Sequence, residues 1–179
     1  MKRRDFIGLG LSSIAAAAAM PVVAKSPASA LPRTLTLYHL HTDERLSLTY
    51  RVGEHYSRSA LRRLNHFLRD FRTGEVTAID PRIFDLMYDV QERVGHHDGV
   101  FEIIGGYRSP KTNAMLRRTS SGVAKRSLHM SGQAVDMRLR GSSLRHVRDA
   151  AVHMGRGGVG YYPRSDFVHL DTGRVRHWG

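Results

Sequence analysis

Two histidines and an aspartate in the second half of the sequence are of the types that bind zinc in hydrolytic enzymes. His129 and Asp136 lie seven positions apart with Gly132 between them, and His169 follows in a later apolar stretch. Two neutral imidazoles and one carboxylate fill three tetrahedral positions around zinc and leave the fourth for water. Such a site keeps a net positive charge, which lowers the pKa of the bound water toward neutrality. A neighbouring Asp or Glu would then accept the water's proton and pass it to a leaving amine.

The residues around these candidates predict strands that turn them toward a cleft. Asp136 alternates with Val135 and Met137, so the two apolar side chains can fill a core while the carboxylate faces away from it. His169 stands in the same relation to its neighbours within residues 167–171. Spacing alone still favours a structural role, because a histidine and an aspartate seven positions apart occur by chance in many proteins.

Two periodicities predict the elements that must position these residues. Strands are predicted by alternation or by short apolar runs, at residues 34–38, 46–50, 100–104, 157–162 and 167–171. Helices are predicted by apolar residues at helical spacing, after the N-cap Ser57, from Pro81 to Gly95, and after Ser142 and Ser143. The first two strands and the turn at residues 41–44 form an N-terminal β-ribbon. This order of elements, without any repeat, indicates an α+β protein.

Composition narrows the class of protein. The chain has 179 residues, of which 41% are apolar and 25% charged, which is typical of one globular domain with a single core. It has no cysteine, so disulfides and thiolate ligands or nucleophiles are excluded. The net charge of +12 favours polyanionic partners, namely nucleic acid, anionic lipid surfaces or acidic wall polymers.

The N-terminus indicates export. Arg3 and Arg4 precede a short apolar run over residues 7–24 that is rich in small residues. Residues 28–30 are Ala-Ser-Ala, a suitable cleavage site for a signal peptidase. We interpret residues 1–30 as a signal of the twin-arginine type, recognised by the twin-arginine translocation machinery; a general secretory signal is the alternative. The mature domain, residues 31–179, would then lie in the periplasm or cell envelope without a permanent membrane span. Its remaining net charge of +9 favours the anionic wall over nucleic acid as partner.

Three motifs that occur in a fixed order carry a family resemblance. They are Gly106-Tyr107-Arg108-Ser109-Pro110 with Asn113, then Ser127-x-His129-x-x-Gly132-x-Ala134-x-Asp136, then Asp166-x-x-His169. Together they resemble the M15 group of zinc D-alanyl-D-alanine peptidases, over residues 33–179. The likeness is closest to an exported branch that includes murein endopeptidases. It implies the Hedgehog/DD-peptidase fold, in which helices pack on a small, mainly antiparallel sheet.

The resemblance also implies a role for each motif residue. It makes His129, Asp136 and His169 the ligands of one zinc ion per chain. Asp166 would be the general base and Arg108 the residue that holds the substrate and steadies the oxyanion.

Ser127 would either hold the residues of the site in place or contact the substrate. The chain departs from the family in having Phe167 where many relatives have a second histidine, and Asp166 where many have glutamate. Simple strand alternation would turn Asp166 away from His169 unless the chain bends there, so Asp171 is the reserve candidate for the base.

The function implied by the resemblance is a zinc-dependent murein endopeptidase that acts on the peptide stems of peptidoglycan. Two alternatives share the fold: a D,D-carboxypeptidase, and a non-catalytic module that binds metal or cell wall. A third alternative is an exported polyanion-binding protein with incidental histidines. The sequence leaves open whether a 4-3 or a 3-3 crosslink is cut, because that depends on loops such as residues 117–127.

Overall fold

The computed structural model describes residues 31–120 and 122–179. The predicted signal peptide, residues 1–30, lies outside the described residues. The described residues contain four α-helices: α1 (Arg58–Phe67), α2 (Arg82–Arg93), α3 (Pro110–Thr119) and α4 (Leu144–Met154). The strands are β1 (Pro32–His39), β2 (Arg45–Val52), β3 (His55–Tyr56), β4 (Val100–Gly105), β5 (Ala134–Leu139), β6 (Gly158–Tyr162), β7 (Phe167–Asp171) and β8 (Arg176–Trp178). A short 3-10 helix covers Leu128–Ser131.

All eight strands form one mixed sheet in the order β3-β2-β1-β4-β5-β7-β6-β8. Most neighbours are antiparallel; β1 with β4 and β6 with β8 are parallel. The α+β class is therefore confirmed. The sheet is larger than the sequence suggested, because the predicted N-terminal ribbon joins it through the pairing of β1 with β4.

Helices α1, α2 and α4 cover one face of the sheet, where the apolar core lies. Val135, Met137 and Val168 are fully buried in that core. Their neighbours Asp136 and His169 therefore project from the opposite face, as side chains alternate along a strand. The pairing of β5 with β7 sets these two residues directly opposite each other.

Two helix beginnings show why the sequence folds in this way. Ser57 caps α1 as predicted, since its hydroxyl accepts a hydrogen bond from the backbone N–H of Ala60. The apolar periodicity of the sequence did not predict α3. Ser109 caps it in the same manner and Pro110 occupies its first turn, two signals of a helix start that the sequence did contain.

No helix in residues 31–120 and 122–179 combines the length and the apolar character that a membrane crossing requires.

Candidate metal centre

The three predicted ligands come from three separate segments. His129 lies in the 3-10 helix, Asp136 on β5 and His169 on β7. Gly132 ends the 3-10 helix in a left-handed conformation (φ 67°), and a Cβ there would lie 2.3 Å from the carbonyl oxygen of Ala78. Only glycine fits this reversal, which sends the chain from His129 directly into β5.

The ligand atoms of these residues converge at one point. Nε2 of His129 lies 3.3 Å from Oδ2 of Asp136 and 3.2 Å from Nδ1 of His169. Two ligands about 2.0 to 2.2 Å from a tetrahedral zinc are roughly 3.3 to 3.6 Å apart. Within the described residues, this is the one cluster of histidine and acidic side chains arranged to hold a metal ion. The residues therefore fit a tetrahedral metal.

A backbone carbonyl fixes the orientation of His129. Its Nδ1 lies 2.7 Å from the carbonyl oxygen of Gly106, which can only accept, so Nδ1 carries the proton. The unprotonated Nε2 is thereby directed at the metal position. Gly106 is itself held close to α1, since a Cβ at this position would lie 2.6 Å from the carbonyl oxygen of Leu68.

His169 is held by carboxylates on both sides. Its Nε2 lies 3.0 Å from Oδ2 of Asp171, and its Nδ1 lies 2.8 Å from Oδ1 of Asp136. Burial lowers the pKa of His169, but the bonds and charges of the two carboxylates outweigh it and raise that pKa to about 9. The pocket thus favours positive charge, as expected of a cation site. Donation from Nε2 to Asp171 leaves Nδ1 free to bind a metal ion.

The ligand carboxylate itself stays ionised. Burial would raise the pKa of Asp136, but the charge and hydrogen bond of His129, together with those of His169, hold it well below its usual range. Asp136 is therefore an anion throughout the neutral pH range. A charged carboxylate beside two imidazoles is a suitable donor set for zinc.

Asp171 is completely enclosed and fully hydrogen-bonded. Its Oδ1 accepts from the backbone N–H groups of Gly158 and Gly173 and from Arg176, at 2.9 to 3.1 Å. Its Oδ2 accepts from Arg176 at 2.7 Å as well as from His169. Burial raises the pKa of Asp171, yet the bonds from His169 and Arg176 hold it below its normal value. The carboxylate predicted as the reserve base is thus occupied in orienting a ligand.

Asp166 lies at the other end of β7 and is largely open to solvent. Its side chain is 62% exposed and forms an ion pair with Arg138. The backbone at Asp166 is left-handed (φ 53°), so the chain bends there. Arg138 is two residues beyond Asp136 on β5, so it shares the face of the ligands. The bend therefore brings Asp166 to the ligand face of the sheet, outside the ligand cluster.

Arg108 follows the end of β4 and borders the metal position. Its backbone N–H donates to the carbonyl oxygen of His129 at 3.2 Å, and its guanidinium lies 3.8 Å from Oδ2 of Asp136. Burial lowers the pKa of Arg108 and nearby Asp136 opposes that effect. The distance of 3.8 Å is too long for a hydrogen bond, and no other described residue accepts one from this guanidinium, so its donors remain available to a ligand.

Ser127 caps the 3-10 helix, since its hydroxyl accepts from the backbone N–H of His129 at 3.4 Å. It also lines the groove described next. The structure thus places Ser127 beside a ligand, and its contact with substrate stays a prediction.

A groove of about 730 Å³ runs over the ligand cluster. One wall is aromatic: Tyr162 stacks on Phe167 and accepts a hydrogen bond from the indole of Trp178. Trp178 also lies 5.3 Å from the ring of His169, centroid to centroid. The sequence did not predict a role for Trp178 or Tyr162, since neither belongs to the three motifs. The rest of the lining includes Arg108 and residues 120, 122–124 and 126–128.

The sequence matches the protein family described as peptidoglycan L,D-endopeptidase MepK over residues 27–178. It is 44% identical over 176 residues to the peptidoglycan L,D-endopeptidase MepK of Escherichia coli strain K12, covering 98% of this chain and 96% of that protein. A relative of the same name in Shigella flexneri gives the same values. A Haemophilus influenzae protein named as a probable peptidoglycan L,D-endopeptidase MepK is 45% identical over 147 residues, 82% of this chain and 79% of that protein. The family match includes every residue of the candidate site.

Proposed function

We propose that this chain, which belongs to the M15-type peptidase family described as peptidoglycan L,D-endopeptidase MepK, is a zinc-dependent endopeptidase that cuts peptide crosslinks of peptidoglycan. The relatives are named for an L,D bond, and we propose the same bond for this chain. The observation that carries the proposal is the convergence of three ligand atoms, from His129, Asp136 and His169, on the floor of an open groove.

Zinc is the metal that suits this donor set. Two imidazoles and one carboxylate form a common ligand set of catalytic zinc, whereas structural zinc sites normally have four protein ligands. Within the described residues no fourth histidine or acidic side chain joins the cluster. When bound, zinc would supply a Lewis acid and a water of lowered pKa. One ion per chain is expected.

The general base is proposed to be Asp166. Its exposed carboxylate lies on the ligand face of the sheet, where it can accept a proton from water and return it to the leaving amine. Asp171 is poorly suited to the same task, because both of its carboxylate oxygens already accept hydrogen bonds and no part of the residue is exposed to solvent.

Arg108 is proposed to bind the substrate and to stabilise the oxyanion. Its guanidinium stands at the edge of the ligand cluster with donors free, and its low exposure strengthens any hydrogen bond to a developing negative charge. Ser127 is proposed to keep His129 in place through the 3-10 helix, with substrate contact as its second role.

The site of action is proposed to be the periplasm or cell envelope. Peptidoglycan lies outside the cytoplasm, and the predicted twin-arginine signal of residues 1–30 would carry the folded domain there. A folded, metal-loaded domain is a suitable cargo for that route.

Digestion of crosslinked muropeptides by the purified protein, followed by mass spectrometry, tests the function. Dimers should be converted to monomers, chelator should abolish the conversion and zinc should restore it. His129→Ala should bind no zinc and stay inactive, while the control His146→Ala, at an exposed histidine of α4, should behave as wild type. Loss of terminal D-alanine from monomers would instead indicate a carboxypeptidase. Wall binding without any product would indicate a non-catalytic module.

A further inference from the structure

A second cavity of about 120 Å³ adjoins the metal centre and is lined by none of the residues of the aromatic wall. Arg108 and Asp136 line both this cavity and the main groove, so the two spaces meet at the metal position. The remaining walls include His41 from the N-terminal hairpin and Arg72 from the turn after α1. Neither His41 nor Arg72 belongs to the three motifs.

Two groups that line this cavity, Arg72 and His41, form no ion pair with an acidic side chain among the described residues. The guanidinium groups of Arg72 and Arg108 both line this cavity, and two positive charges beside one space repel each other. His41 has a lowered pKa, first because of burial and then because of Arg72. Two like charges facing one space are unfavourable until an anion enters it.

The carboxylates that border the cavity are already engaged. Asp70 is buried and accepts hydrogen bonds from the backbone N–H groups of Ser109 at 2.8 Å and of Arg72 at 2.9 Å. Asp136 belongs to the metal ligands. Neither one neutralises the side chain of Arg72.

Aromatic contacts hold the cationic wall in position. The ring of His41 stacks on Phe71, with centroids 4.1 Å apart and an angle of 12° between the planes. The guanidinium of Arg72 lies 4.2 Å from the centre of the same Phe71 ring. A guanidinium held against an aromatic ring has fewer conformations to lose when it binds a ligand.

We propose that the second cavity is a carboxylate-binding subsite of the groove, in which Arg72 is the specificity-determining residue and Arg108 connects the subsite to the scissile amide. This inference rests on the proposed function. The volume suits one carboxylate with its carbon, and a planar guanidinium binds such a group through two parallel hydrogen bonds.

The substrate class provides a carboxylate at the right place. An L,D amide joins the carbonyl of an L centre to the amine of a D centre. Where that D centre belongs to a diamino acid of the acceptor stem, its own carboxylate is free and sits on the carbon that carries the scissile nitrogen. When the scissile carbonyl lies at the metal position, this carboxylate lies on the leaving-amine side, within reach of a cavity that begins at Arg108 and Asp136.

Two crosslinked muropeptides test the subsite, one with this carboxylate free and one with it converted to the carboxamide. The wild-type protein should cleave the free acid with a kcat/KM about 10- to 100-fold higher, the range for one charge-assisted hydrogen-bonded pair. Arg72→Gln should reduce the preference to about threefold or less, through a higher KM for the acid and an unchanged rate for the amide. Arg72→Lys should keep part of the preference.

The matched control is Arg63→Gln, which removes the same charge from the exposed face of α1, outside both cavities. It should leave the preference intact. Equal cleavage of both muropeptides by the wild type, or an undiminished preference in Arg72→Gln, would overturn the subsite.

A binding measurement separates this inference from the proposed function. Chelator-treated wild-type protein should bind the free acid about tenfold or more tightly than the amide in calorimetry, and Arg72→Gln should not. If the metal-loaded wild type cleaves no crosslink, the proposed function fails, and the calorimetry still decides the subsite. Equal affinity for acid and amide would exclude it.

Discussion

The two ends of β7 carry one aspartate each, and the two carboxylates have opposite surroundings. Asp171, at the end of the strand, is fully buried and accepts hydrogen bonds from two backbone N–H groups, Arg176 and His169. Asp166, just before the strand begins, is 62% exposed and pairs, among the described residues, with Arg138 alone. His169 lies between them on the same strand.

This difference suggests a division of labour within a single strand. A carboxylate whose lone pairs are all used cannot take up a proton without losing a bond, but it can hold an imidazole in one tautomer. A carboxylate open to water can exchange protons quickly and move slightly as the reaction proceeds. The strand would therefore supply a ligand in its middle, an orienting group at one end and a base at the other.

Asp166→Asn tests the exposed carboxylate just before β7 and should give the largest effect on activity. The amide keeps the size of the side chain but cannot accept the proton at neutral pH, so kcat should fall by roughly two to four orders of magnitude. Zinc content and KM should stay close to the wild type, because the ligands are untouched. Steady-state kinetics on a crosslinked muropeptide, with metal analysis of the same sample, gives both numbers.

Asp149→Asn is a suitable control, since Asp149 is also exposed and ion-paired, with Arg148 on α4, away from the groove. It should turn over normally. If Asp166→Asn also kept its normal turnover, the proton would have to go elsewhere, and the division of labour along β7 would be wrong.

Asp171→Asn tests the buried carboxylate at the end of β7. The amide nitrogen must face donors whichever way the side chain turns, because N–H groups surround both oxygens. His169 would lose its fixed tautomer, and zinc affinity should fall by about 10- to 100-fold. At saturating zinc, turnover should recover to within about tenfold of wild type. Competition with a chromophoric chelator measures the affinity.

Asp85→Asn controls for the loss of a buried carboxylate as such. Asp85, on α2, accepts hydrogen bonds from Tyr50 and Arg51 on β2, remote from the ligands. It should lower the free energy of unfolding without changing zinc affinity. An Asp171→Asn protein that binds zinc normally yet has no turnover would reverse the two roles and make Asp171 the base.

The sequence predicted the convergence of His129, Asp136 and His169 better than the contacts that support them. The family resemblance singles out these three residues, and strand alternation turns Asp136 and His169 to the same face; their role as ligands stays a prediction. The carbonyl of Gly106 that orients His129 comes from a backbone 23 residues away, which no side-chain pattern reports. The orientation of Asp166 depends on a positive φ that aspartate tolerates but does not require.

The helices and strands were likewise predictable only where the local apolar pattern is clear. Strands and helices with a clear apolar period, such as the hairpin and α2, were predicted close to their observed bounds. Helix α3 buries few side chains, so its period is weak and only its cap and proline reveal it. The second cavity could not be predicted at all, since it forms where the turn after α1 meets the end of β4.

Two buried histidines extend the comparison from carboxylates to imidazoles. His169 lies between two carboxylates, which raise its pKa to about 9. His39, at the end of β1, is buried against Phe67 and Phe71, and its Nε2 has no hydrogen-bond partner among the described residues. Burial, reinforced by the charges of His41 and Arg69 and opposed by Glu44, lowers the pKa of His39 to about 4. Burial with an anion and burial without one thus move the pKa in opposite directions.

The smallest effect on activity is expected from His39→Phe, which should change only the pH dependence of stability. The unfolded chain binds a proton at His39 below about pH 6.5, whereas the folded protein binds it only near pH 4. The contribution of this residue to stability is therefore complete above pH 6.5 and is lost as the pH falls toward 4. Between pH 7 and pH 5 the free energy of unfolding of the wild type should fall by about 2 kcal/mol through this group, and that of His39→Phe should fall by that much less.

Urea unfolding of both proteins at the two pH values measures the difference, with His55→Gln, at an exposed histidine of β3, as control. Equal losses in wild type and His39→Phe would mean that His39 titrates normally in the fold, and that burial alone does not separate it from His169.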